Sequence, residues 1–172
     1  CNGVTYDKPL DSSFTGGTLA SGNYYLTEDI DLTNTIEISA GSDVKICLNG
    51  KSISEYYVNN YGTLTLNNCN AANGKVNTYY NGYNNSVLYG NAVINNTVFS
   101  STEGTSKISG CIFDHKFVCM ENSEITGGTF NQIVAVHDYG VITGGYFGGT
   151  VASGTVGKFI KGGYFKTKPD DS

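Results

Sequence analysis

The 172-residue chain contains no arginine, and its ten basic residues are lysines that stand singly. At a formal net charge of −5 it lacks the clustered basic face that displaces counterions from a phosphate backbone, which excludes nucleic acid as a partner. No apolar run approaches the length of a membrane span. None of the five cysteines (Cys1, Cys47, Cys69, Cys111, Cys119) belongs to a CxxC pair, so no zinc pattern is present. Cys111, His115 and Cys119 would share a face only on a helix, and the composition of their segment argues against one. Small buried thiols are the expectation, and the odd count fits a domain not built on a disulfide framework. Nothing at the N-terminus reads as a signal peptide, so a mature form or an excised piece is expected. The length suits one domain with its own core and is short for two.

What is abundant is glycine, asparagine and tyrosine, arranged in a repeat. The phrases EITGGTF, VITGGYF and FIKGGYF start at Glu124, Val141 and Phe159, with a weaker copy, KISGCIF, at Lys107. Their leading aliphatics, Ile108, Ile125, Ile142 and Ile160, are separated by 17, 17 and 18 residues. Ile30, Leu48, Leu66 and Ile94 are read as earlier anchors, with the 28 residues from Leu66 to Ile94 forming one rung with an inserted loop or two short rungs. A unit this short holds no helix pair, and the leucine-rich spacing is missing. Short strands joined by tight bends remain, each pairing in parallel with its counterpart one coil on, about 4.8 Å away. The fold expected is all-β: a right-handed parallel β-helix, or β-solenoid, of about eight short coils with an N-terminal cap, its hand taken from the resemblance given below.

The phrase has a physical reading in this geometry. The aliphatic points inward, the next residue outward, the glycine pair turns a corner, and the aromatic returns to the interior. Phe113, Phe130, Phe147 and Phe165 then form one stacked column. Phe117 and Cys119, Val134 and Val136, and Val151 and Ser153 alternate as inward positions of a further strand, which puts Cys119 in the core beside Val136. Cys69 and Cys111 fall coils apart and are not expected to pair. The pairs Asn67-Asn68 and Asn95-Asn96 are read as corner residues that bond between coils.

Residues 1–22 lack the repeat and are read as a cap or loop over the first coil, 23–165 as the β-helix, and 166–172 as a tail or a linker to further regions. An uncovered end invites end-to-end self-association. The runs SGNYYLTEDIDL, VKICLNGKSIS and GTLTLNNC, with the ITGGTF and GGYF phrases, resemble the pectin-lyase-like β-helix region of large secreted or surface proteins of gut Firmicutes, over about residues 20–165. The resemblance implies a right-handed β-helix, an extracellular or cell-surface setting and adhesive or glycan-related roles, and it brings no catalytic residues.

Catalysis on such a fold has specific needs. A uronate lyase needs a base and a calcium held by several carboxylates on one face, and a hydrolase needs two facing carboxylates. The only acidic cluster is Glu28, Asp29 and Asp31; Glu55, Glu103, Asp114, Glu121, Glu124 and Asp138 fall in different registers, and His137 reads as a surface residue. No catalytic residue, metal ligand or cofactor is assigned. Thr126 and Thr143 align with Ser109, but one such column does not make an ice-binding array. The candidate ligand-binding residues are Tyr79, Tyr80, Tyr83 and Tyr89, in an irregular stretch where rings stack on sugars and amides bond hydroxyls, with Tyr56, Tyr57 and Tyr61 one coil earlier. The function expected is a non-catalytic structural or adhesive module with glycans or host-surface polymers as partners. The alternative is a carbohydrate-active enzyme, a polysaccharide lyase or glycoside hydrolase.

Overall fold

The computed structural model describes residues 3–70, 72, 74–83, 86–95, 97–101, 104–137, 139–153 and 159–169. Its described residues form no helix. Three parallel sheets stack as a solenoid: sheets A and B have eight strands each and sheet C seven, about seven complete turns against the eight expected. From the strand Asp43–Cys47 onward the chain visits A, then C, then B in each coil. Sheet A runs from Lys8–Leu10 to Val141–Ile142, sheet B from Gly17–Leu19 to Val151–Ser153, and sheet C from Ser52–Ile53 to Tyr164–Phe165.

The repeat sets the register as read. Ile108, Ile125, Ile142 and Ile160 are successive partners on sheet A. The column continues backwards through Leu88, Leu66 and Ile46 to Tyr24. Three of the earlier anchors are therefore placed differently. Ile30 and Ile94 belong to sheet C, in the column Ile30, Ile53, Val76, Ile94 that the phenylalanines continue, and Leu48 lies at the corner beyond Ile46. Leu66 and Leu88 bound one coil, so the ambiguous stretch holds a single rung. An inward aliphatic is chemically the same on sheets A and C, and the two become distinct only where the glycine pair separates them.

On sheet C, Phe113, Phe130, Phe147 and Phe165 pair in sequence, with ring centroids 4.6, 4.8 and 4.8 Å apart and planes within 9° of parallel. On sheet B, Phe117 pairs with Val134, which pairs in turn with Val151, and Cys119 pairs with Val136. The glycines that turn the A-to-C corner have neighbouring backbone against them: a Cβ on Gly144 would lie 2.3 Å from the Thr126 carbonyl oxygen. The second glycine of the pair takes positive φ at Gly128, Gly145 and Gly163, and Cys111 holds the same place in the weaker copy at φ 68°.

The first residues are part of the solenoid. Lys8–Leu10 pairs with Tyr24–Leu26, and Gly17–Leu19 with Ile36–Ile38, so the expected loop supplies strands to two sheets. Within these first coils Lys8 Nζ sits 5.2 Å from the Tyr24 ring centroid and donates to the Ser21 carbonyl, and Phe14 packs on the core. At the other end Tyr164–Phe165 is the last strand of sheet C and pairs with Tyr146–Phe147 alone.

Polar residues also enter the interior, where the B-to-A corner leaves backbone groups to satisfy. Buried Asn60 accepts from the Gly62 amide and donates to Ser86 Oγ, which donates to Asn81 Oδ1 at 2.7 Å. Asn67 and Asn68 are buried as well. They serve by bonding between coils, Asn68 to Asn91 Oδ1 and to the Gly50 amide, while positive φ falls instead on Asn49 and Asn122. Asn96 lies outside the described residues.

Candidate functional site

The stretch read as an irregular insertion is a regular strand. Tyr79–Tyr83 pairs with Tyr56–Asn60 on one side, and its first three residues pair with Thr97–Phe99 on the other. Alternation along that strand divides the tyrosines. Tyr79 is fully buried, its ring stacked 5.3 Å from that of Tyr56 and tilted against Phe99. It is a core residue, not a solvent-facing one. Tyr80 faces outward and is 42% exposed beside Tyr57 at 43%, with centroids 6.2 Å apart and planes inclined at 37°. Tyr61, also exposed, follows at the corner. Tyr83 pairs with Asn60 through its backbone, and its side chain lies outside the described residues. Tyr89 sits at a different corner, after sheet A, where its hydroxyl accepts from Asn67 Nδ2, as does that of Tyr6. Among the described side chains, Tyr80 is the one of the expected ligand tyrosines that forms an outward pair, with Tyr57 of the preceding coil.

That pair heads a strip of low charge. Successive partners of Tyr80 on the outer face of sheet B are Val98, Val118, Ala135 and Ala152, all partly exposed. Aromatics over small apolar side chains on a flat parallel sheet form a surface a ligand can lie along.

Four of the carboxylates bond neighbouring side chains or backbone. Glu28 accepts from the Ser12 hydroxyl at 2.6 Å, Asp29 from the Ser52 amide at 2.8 Å, and Asp114 from Asn131 Nδ2 at 2.6 Å. Glu124 accepts from Thr143 Oγ1 at 2.9 Å and pairs with Lys107 at 3.2 Å. The Thr143 hydroxyl first, and then the lysines, hold its carboxyl below the usual range. Among the described residues no three His, Cys, Asp or Glu side chains gather as a metal site. Glu103 and Asp138 lie outside the described residues, and His137 is partly exposed on sheet B.

Cys47, Cys111 and Cys119 are buried free thiols, and burial pushes the latter two up to about 12. Cys69, however, is disulfide-bonded. Counting cysteines gave no sign of this. Cys1 lies outside the described residues.

One further site escaped the sequence reading. A groove of about 300 Å³ on the outer face of sheet A is lined by Asn122, Glu124, Tyr139, Thr143 and Lys161, among others. The signal that points to it is a tyrosine at a corner that suits glycine or asparagine.

Compared with known proteins, the chain matches no family model, no curated protein and no solved structure.

Proposed function

We propose that the chain is a non-catalytic structural and adhesive β-helix module of a secreted or surface protein of bacteria, and that it grips glycans through Tyr57 and Tyr80. The observation that carries the reading is the outward, partly exposed tyrosine pair on a regular sheet. Tyrosines of this kind meet sugars through CH contact on the ring face and hydrogen bonds from the hydroxyl. The disulfide at Cys69 supports an oxidising, extracellular setting. Asp29, Asp114 and Glu124, bonded on separate coils to Ser52, Asn131 and Thr143, support binding over turnover.

Glycan-array binding of the wild-type chain and of Tyr57→Ala and Tyr80→Ala tests the proposal. Either substitution is expected to weaken binding by roughly tenfold and leave the fold intact, because the rings are outward. Undiminished binding in both variants removes the assignment.

End-to-end association belongs to the same proposal: among the described residues the edge strands Lys8–Leu10, Gly17–Leu19 and Tyr164–Phe165 each pair on one side only.

A further inference from the structure

Tyr139 breaks a local rule without a packing return. It occupies the corner between sheets B and A, where Gly140 N–H donates to the His137 carbonyl, and its φ is 71°. One coil earlier the equivalent residue is Asn122, at φ 50°. Asparagine tolerates this region, whereas a bulky side chain is strained there. Burial of the ring would offset the strain, yet Tyr139 is 82% exposed. Strain retained at an exposed aromatic directs attention to what lies beside it.

Beside it is the sheet A groove. Glu124 presents a carboxylate kept ionised by Thr143 and Lys107, Lys161 adds an ammonium group, and Asn122 and Thr143 add neutral polar groups. The lining thus combines a carboxylate, an ammonium group, neutral donors and acceptors, and the Tyr139 ring. We infer that this groove is a binding site for one ring of a neutral, hydroxyl-rich saccharide, with Tyr139 contacting its apolar face and Glu124 and Lys161 bonding its hydroxyls. A strongly anionic ligand meets the Glu124 carboxylate, and a cationic one meets the two lysines, so an uncharged polyol ring fits best. The site shares only its ligand class with the Tyr57–Tyr80 pair, which lies on sheet B.

The test is saturation-transfer NMR with isothermal titration, using neutral oligosaccharides of glucose, mannose and N-acetylglucosamine and, as a charged control, an oligogalacturonate. Binding to at least one neutral oligosaccharide is expected, nearly insensitive to salt and unchanged in Tyr80→Ala. Tyr139→Asn is expected to weaken it at least about tenfold, while the melting temperature holds or rises as backbone strain is relieved. Lys161→Gln weakens the same binding and leaves the melting temperature unchanged. The inference is overturned by an absence of transfer to all the neutral sugars or by a preference for the oligogalacturonate. It is equally overturned by full binding in Tyr139→Asn, or by a clear fall in that variant's melting temperature, which would give the ring a structural role.

Discussion

The ring of Phe130 lies over that of Phe147 with centroids 4.8 Å apart and planes 6° from parallel. Phe113 covers its other face, and Phe117 meets it edge-on at 5.1 Å. Removing the ring leaves a cavity with neighbours on three sides that are themselves fixed by strand pairing. Phe130→Ala is therefore expected to cost about 3–5 kcal/mol of stability. Thermal or urea unfolding measures it, and a variant that melts like the parent would remove Phe130 from the core.

The glycine corners are as constrained as the aromatic column. A methyl on Gly144 would meet the Thr126 carbonyl oxygen, which belongs to the coil below and cannot move without breaking its register. Gly144→Ala is expected to destabilise by about 1–3 kcal/mol. Gly41→Ala is the control for backbone strain without a clash, because no atom lies within 4 Å of its Cβ position and its φ is 77°. The smaller loss belongs to Gly41, and equal losses would mean that the close approach of coils is not what selects glycine.

Cys119 lies between Phe99 and Val136 on the inner face of sheet B, with its thiol pushed up to about 12 by burial. At pH 8 it is both protonated and shielded. Its reaction with a thiol reagent is expected only after denaturation, as followed by mass spectrometry of the Cys119 peptide. Rapid labelling of the native protein would place that strand in a different register.

The last described strand of sheet C carries an exposed aromatic ring. Tyr164 is 65% exposed, its ring stacks at 5.3 Å on Tyr146, and no further strand lies beside it among the described residues. Sedimentation velocity over a concentration series is expected to show weak self-association that Tyr164→Lys suppresses. Association that survives this change, or that responds instead to Lys8→Ala, would locate the contact elsewhere.

The later coils were legible in the sequence because glycine pairs and phenylalanines mark their corners and faces. Ile125 and Phe130 are five residues apart in every clear copy, and no other register brings both inward. The early coils carry Leu, Ile and Val on all faces, which is why Ile30 and Ile94 were assigned to the wrong sheet. Residues Lys8–Leu10 and Gly17–Leu19 join the sheets by backbone bonds, which carry no side-chain signature. The tyrosine stretch misled for a related reason. Tyr79 and Tyr80 are identical letters, and only the strand's alternation sends one ring into the core and the other to solvent. Buried Asn60 and Asn81 were illegible because their partners are the Gly62 turn amide, the Ser86 hydroxyl and the Ser100 carbonyl, which only the folded coils bring to them.

Binding without turnover is the central claim, and one measurement tests it most directly. The protein is incubated with the polysaccharide that ranks highest on the glycan array, then separated from it, and the polysaccharide is assayed for new reducing ends and for unsaturated uronate. The expected result is saturable retention that Tyr80→Ala weakens by roughly tenfold, with the polysaccharide recovered at its original length. Reducing ends or unsaturated products that accumulate with time would contradict it and make the chain an enzyme.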